Sequence, residues 1–167
     1  EWQYAGGNAT VIAFNYTNGA RVDFSRWSKG LRPLPTKSSV KWAKKGRADA
    51  GYQSFKAYLQ QVFSYAGTYS LSREMAPVGV ADMAIGDVFI VGGFPGHAIL
   101  VVDMAEHPST GEKRFLLAQS YMPAQDIHVL KNPGAADGSP WYPLDFGDTL
   151  VTPEWTFKAG DLKRFRH

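Results

Sequence analysis

His97 is the residue best placed to do chemistry. It follows the bend Gly92-Gly93-Phe94-Pro95-Gly96 and opens the apolar run Ala98 to Val102, so its imidazole stands at a strand start among small neighbours. A neutral imidazole, titrating near pH of about 6.5, is the usual general base, and a strand fixes its direction. The plainer alternative is a strand-edge histidine bonded to a neighbouring carbonyl, and spacing leaves both open. Gln119 ends a later apolar run, Phe115 to Gln119. On an adjacent antiparallel strand it can stand beside His97, bond the ring nitrogen that faces away from the reaction, and so fix the tautomer. A backbone-bonding role in a turn is equally open for it.

Other chemistries are poorly supported. Asp87, Asp103, Asp126 and His128 could join His97 around zinc, but neither an HExxH pair nor an H-x-H doublet is present, so no metal and no cofactor is expected. Asp87 follows Gly86 at a strand entry and reads as a turn or capping group. The glycine-rich bend leads into a strand and not into a helix N-terminus, which rules out a phosphate loop. No G-x-S-x-G elbow occurs, and Ser120 has no independent support as a nucleophile. The sequence contains no cysteine, which removes disulfides, thiolate metal sites and a thiol nucleophile from these residues.

The elements that must position these groups are legible in outline. Val88 to Val91 and Ala98 to Val102 read as a hairpin around the five-residue bend, and Phe115 to Gln119 as a third antiparallel strand after the turn Pro108-Ser109-Thr110-Gly111. Ile127 to Leu130 reads as a short fourth strand and Val151 to Phe157 as another. Asn132 to Pro143 reads as loop. Upstream, Thr10 to Tyr16 reads as a strand closed by Thr17-Asn18-Gly19, and Asp23 to Val40 as a long surface loop pinned by Trp27 and Trp42. From Tyr52 to Tyr65, apolar residues at Phe55, Tyr58, Leu59, Val62, Phe63 and Ala66 give an amphipathic helix, with Gly67 as its stop.

Length and composition set the frame. A chain of 167 residues suits one domain with a real core. Five Trp, eight Tyr and ten Phe argue against disorder. The formal charge of +3 comes largely from two basic clusters, Lys37 to Arg47 and Lys163 to Arg166. Without a recognition motif these read as solvated faces, and no nucleic-acid partner is expected. No apolar run approaches the roughly 18 residues of a membrane span. The chain opens on Glu1 and not on Met, and the expectation is that a signal, an anchor or a further stretch of fold precedes it.

Two resemblances enter here. Gly86-Asp87-Val88-Phe89-Ile90, followed by Pro95-Gly96-His97-Ala98 and the strand to Asp103, resembles the signature of papain-like, NlpC-type cell-wall peptidases and amidases. Over nearly the whole chain the sequence also resembles an uncharacterised family of bacterial exported proteins and lipoproteins. That likeness is carried by Phe14 to Gly19, Phe63 to Leu71, Gly86 to Ala105, Leu116 to Leu130, Ser139 to Tyr142, Thr152 to Phe157 and Asp161 to Phe165.

The first resemblance implies an α+β fold, an antiparallel sheet packed against helices, with the nucleophile on a helix ahead of the sheet; the second implies that this helix lies just upstream of the chain, with Glu1 to Tyr4 as its tail. The first also implies His97 as base and Gln119 as orienting residue, with Phe94, Gly96, Ser120, Tyr121 and Trp141 on the substrate side. The nucleophilic Cys of the NlpC pattern is absent, so it would lie upstream, and the chain alone would be inert. The implied protein is a secreted, periplasmic or outer-surface lipoprotein, tethered through an upstream lipid anchor. It would act as a monomer on a peptide or cell-wall polymer. The other reading is a non-catalytic glycan or cell-wall binding module using Trp27, Trp42, Trp141, Tyr142 and Trp155 as platforms.

Overall fold

A computed structural model describes residues 1–122 and 125–166 and shows a mixed α+β protein with antiparallel sheets and few helices. Pro123 and Ala124, inside the stretch Leu116 to Leu130 that carries the wider resemblance, lie outside the described residues. The chain divides into two compact units, Glu1–Leu71 and Ser72–His167. Among the described residues no helix is long and apolar enough to cross a membrane.

The first unit begins with a short helix α1 (Trp2–Ala5) and a hairpin of β1 (Ala13–Asn15) and β2 (Arg21–Asp23). The strand expected over Thr10 to Tyr16 is shorter, because Ala9–Val11 form a single 3-10 turn. Asp23 to Val40, expected as loop, instead holds a helix α2 (Phe24–Ser28) and a ribbon of β3 (Leu31–Pro35) paired with β4 (Val40–Lys44). Asp23 starts α2 by accepting the Arg26 backbone N–H at 2.8 Å, and Phe24 and Trp27, three apart, turn into the core. Gly30 then reverses the chain at φ +83°. Pro33 and Pro35 are tolerated because positions two apart face the same edge of a strand, here the edge without a partner.

The helix expected over Tyr52 to Tyr65 spans those residues as α3 (Tyr52–Tyr65), burying Phe55, Tyr58 and Val62. Its end is not a left-handed glycine. Ala66 leaves in extended backbone, and after Gly67 the chain re-enters a helix, α4 (Thr68–Glu74). Tyr58 donates to the Val22 carbonyl at 2.8 Å and its ring meets Phe24 and Trp27, so α3, β2 and α2 share one aromatic core. Tyr16 belongs to that core, and burial pushes its phenol up to about 12.

The second unit is built on one antiparallel sheet. Its strands are β5 (Met75–Pro77), β6 (Val88–Val91), β7 (His97–Glu106), β8 (Lys113–Gln119), β9 (His128–Val129) and β10 (Tyr142–Pro143), closed by β13 (Leu162–Phe165). A separate hairpin joins β11 (Thr149–Val151) to β12 (Thr156–Lys158). The sheet order is β10-β8-β7-β6-β13-β5, with β9 also on β8.

Two expectations fail here. Val151 to Phe157 is not one strand, because Pro153 and Glu154 form the turn of the β11–β12 hairpin. The loop Asn132 to Pro143 ends in β10, where Tyr142 pairs with Phe115.

Phe89, Ile99, Val101, Phe115, Leu117 and Leu162 put the sheet's apolar face into one core with Leu150 and Phe157 of the hairpin. Each such side chain contributes roughly 1.5–3 kcal/mol on burial. A β-bulge at Val102 shifts the register: Val101 pairs with Leu117, but Asp103 already pairs with Leu116. Inward positions on β7 therefore change from 97, 99 and 101 to Met104, which packs on the same core.

β13 is held in the middle of the sheet by a buried carboxylate. Asp87, 1% exposed, accepts from Arg164 Nε at 2.6 Å and Nη2 at 2.9 Å, and from the Ala84 backbone N–H at 2.8 Å. The turn role expected for Asp87 is present, with an ion pair added, and the carboxylate raises the Arg164 guanidinium above its ordinary range. A buried charge that loses its partner destabilises far more than an exposed pair contributes. Arg164→Ala is therefore expected to lower the urea midpoint well beyond Arg26→Ala, which removes the exposed Asp23 pair; equal shifts would refute the assignment. Tyr16 predicts an alkaline effect. Its folded pKa lies above the unfolded value of about 10, so its stabilising contribution is complete below pH of about 10 and fades toward 12. Tyr16→Phe should flatten that part of a stability-against-pH curve.

Candidate functional site

Strand alternation places His97, Ile99 and Val101 on the apolar side of β7, and Phe115, Leu117 and Gln119 on the same side of β8. Leu100 pairs with Ala118, which sets Gln119 opposite Ile99 and diagonal to His97. The two side chains meet: His97 Nε2 and Gln119 Oε1 are 2.6 Å apart. Both are buried, His97 at 9% and Gln119 at 2% exposure. The partner that the sequence left open for His97 is thus the Gln119 amide and not a main-chain carbonyl.

A third residue completes the chain of bonds. Gln119 Nε2 donates to Glu154 Oε2 at 2.7 Å. Glu154 sits in the β11–β12 turn, which Thr152 fastens by donating its backbone N–H and its hydroxyl to the Trp155 carbonyl at 2.9 and 2.7 Å. A carboxylate only accepts, so it holds the amide NH2 and turns the amide oxygen to the ring. The reversed amide would set two acceptors against each other. An amide oxygen accepts in turn, so the neutral form of His97 carries its proton on Nε2 and keeps the lone pair on Nδ1.

The ring is bracketed by aromatics. Tyr121 meets it edge-on at 5.1 Å, Trp155 lies 5.4 Å away and Phe157 lies 6.1 Å away. Beside His97 opens a groove of about 340 Å³ bordered by Pro95, Gly96, Ser120, Tyr121, Met122 and Trp155. Among the described residues that line it there is no Asp, Glu, Lys or Arg. Such a groove suits an uncharged stretch of chain, with the His97 imidazole and the Tyr121 phenol as the titratable groups among its described lining.

Of the residues expected on the substrate side, Gly96, Ser120 and Tyr121 border this groove. Phe94, next to the cis Phe94-Pro95 bond, is 80% exposed and does not line it. Trp141 belongs elsewhere: it lines a separate cavity of about 370 Å³ with Glu106, His107 and Arg114. The reason is topological, since β10 pairs at the Arg114–Phe115 end of β8, away from Gln119. Trp27 and Tyr142 are buried core rings and offer no exposed platform. Among the described residues no group of three His, Asp or Glu side chains could hold a metal ion.

Sequence reasoning missed Glu154 and took Trp155 only as a binding platform. The signal available was Thr152-Pro153-Glu154-Trp155, a turn tetrapeptide inside an otherwise β-like run. That the run lies within a single family pattern is shown directly. The chain belongs to the family described as Domain of unknown function (4846), whose model matches residues 1–164. All three residues of the bonded chain fall inside this family match. Neither the curated proteins nor the solved structures give a significant match.

The bonding order makes a spectroscopic prediction. In the neutral form of the His97 imidazole, long-range proton–nitrogen NMR should report Nε2–H with an unprotonated Nδ1. Glu154→Ala frees the amide to rotate and should convert this to a mixture of tautomers, while Glu112→Ala, at an exposed pair far along β8, should leave it unchanged. An unaltered signal in Glu154→Ala would refute the relay.

Proposed function

We propose that this chain supplies the proton-handling half of a papain-like, NlpC-type hydrolase that cuts peptide or peptidoglycan amide bonds in the cell envelope. The observation that carries it is the run His97, Gln119, Glu154 beside an uncharged groove, with the ring nitrogen Nδ1 left as base. Nucleophile, base and orienting residue form the general arrangement for covalent acyl transfer. The sequence has no cysteine, so the nucleophile of this scheme lies outside these 167 residues.

In the proposed reaction Nδ1 takes the thiol proton and the thiolate forms a bond to the carbonyl carbon. As the carbon–nitrogen bond breaks, Nδ1 gives that proton to the departing amine, leaving a thioester. Water, deprotonated by Nδ1, then attacks the thioester carbon and expels sulfur, which recovers its proton from His97 as the carboxylate product leaves. Gln119 keeps Nε2 protonated throughout, and the Glu154 carboxylate opposes the imidazolium charge that forms twice in the cycle. This reading goes with an exported, periplasmic or lipid-anchored protein, monomeric and free of cofactors.

The alternative, a glycan or cell-wall binding module, loses Trp27 and Tyr142 to the core. It keeps Trp155, in the same groove as His97.

One experiment separates the two. The product of the entire reading frame is incubated with peptidoglycan, and newly exposed amines and carboxylates are counted. The hydrolase reading expects release that falls about 10²- to 10⁴-fold in His97→Ala, and labelling by a thiol-reactive probe. The binding reading expects no release, retention on the polymer in His97→Ala and loss of retention in Trp155→Ala.

A further inference from the structure

The first unit carries an unbalanced charge. Residues 1–71 contain ten Lys and Arg against three Asp and Glu, a net of +7, whereas residues 72–167 contain eight against twelve, a net of −4. The excess is concentrated. From Phe24 to Ala48, 25 residues that contain β3 and β4, there are eight Lys and Arg and no acidic side chain. Solubility alone is met by interspersed signs, as in the second unit.

Three of the eight cations are used internally. Arg26 pairs with Asp23 at 3.3 Å and lies over Trp42; Arg32 lies 3.9 Å over the Trp27 ring and donates to the Trp27 carbonyl at 3.0 Å; Lys44 donates to the Lys29 carbonyl. The other five, Lys29, Lys37, Lys41, Lys45 and Arg47, are exposed. Among the described residues none of these five has a carboxylate within salt-bridge distance. Lys41 and Lys45 share one side of the strand that continues β4, about 13 Å apart.

The ribbon that carries them is fixed at both ends. Gly30 stands so close to the Gly46 backbone that a Cβ there would lie 2.3 Å from the Gly46 carbonyl oxygen, and Lys45 and Asp49 donate back to Gly30 and Ser28 at 3.1 and 2.7 Å. At the tip, Asn18 Nδ2 donates to the Thr36 and Ser39 carbonyls at 2.9 and 3.0 Å. The cations are therefore carried on a ribbon tied to the rest of the first unit at both of its ends.

We propose that the β3–β4 ribbon is a binding surface for a linear polyanion, a flexible polymer with oxyanion groups repeated along its length. The cations are spread along the ribbon, and a small anion would need them to converge. Trp27 is buried and Trp42 lies under Arg26, so no aromatic ring is presented for base stacking. Of the large apolar side chains of the ribbon only Leu34 is exposed, at 39%, and the tip is the polar Thr36-Lys37-Ser38-Ser39, which leaves nothing to enter a bilayer. This surface is independent of the His97 groove and of the hydrolase reading.

The test uses the 167-residue chain and long-chain inorganic polyphosphate, with binding followed by fluorescence anisotropy from 50 to 300 mM salt. Five contacts predict a slope of log affinity against log salt of about −3.5. Lys37→Ala, Lys41→Ala, Lys45→Ala and Arg47→Ala combined should weaken binding at least 100-fold at 50 mM salt and bring the slope to about −0.7. All four are exposed, and an unchanged thermal midpoint would show that the variant folds. Lys113→Ala, Arg114→Ala, Lys131→Ala and Arg166→Ala combined remove the same charge from the second unit and should change affinity less than threefold. The proposal is overturned by no binding at 50 mM salt, or by equal losses in the two variants. It is overturned equally by tenfold tighter binding to a mixed-sequence single-stranded oligonucleotide of matched charge, or to vesicles rich in phosphatidylglycerol.

Discussion

An imidazole on the core-facing side of a sheet must be hydrogen-bonded, and that requirement organises the second unit. His97 shares its face of β7 with Ile99 and Val101, so its Nε2 turns toward an apolar interior. Left alone, a buried donor costs about 1–3 kcal/mol. Gln119 answers it from the next strand, but an amide has two polar ends and brings a second demand to the same interior. Glu154 meets that one from the β11–β12 turn, where the chain of bonds reaches the edge of the core. The three residues come from separate elements, so the sheet, the hairpin and the orientation of one ring depend on one another.

The remaining framework keeps those elements in register. The Asp87–Arg164 ion pair ties the entry of β6 to β13, which lies between β6 and β5 although it is last in sequence. The bulge at Val102 lets the long strand β7 serve two purposes. Before it, odd positions turn His97 into the site, and after it Met104 packs on the same core.

Much of this was legible where the pattern was local. Helix α3 announced itself through apolar residues three and four apart. The β6–β7 hairpin was marked by its glycine-rich bend, and consecutive antiparallel strands made the contact of His97 with Gln119 one of the two roles open to that amide. What escaped was long-range or short. Glu154 lies 35 residues from Gln119, and nothing local in a Thr-Pro-Glu-Trp turn says which amide it will meet. β13 reads as a basic tail, Lys163 to Arg166, until Arg164 is seen to neutralise a buried aspartate. The segment after Asp23 looked irregular because its prolines and lysines mask a five-residue helix and a ribbon, both too short for periodicity to show. Trp141 was expected beside the site, and strand pairing puts it at the far end of β8 instead.

The two flanks of the seven-stranded sheet are unusually stunted. On one side β8 is covered by β9 and β10, stubs of two residues each, and on the other β5 is three residues long and finishes in Pro77. A full-length bare flank would offer a ladder of unpaired amides to any passing strand. Here an incoming chain finds only broken rungs, and proline withholds a donor. The arrangement thus discourages runaway stacking of copies into fibrils.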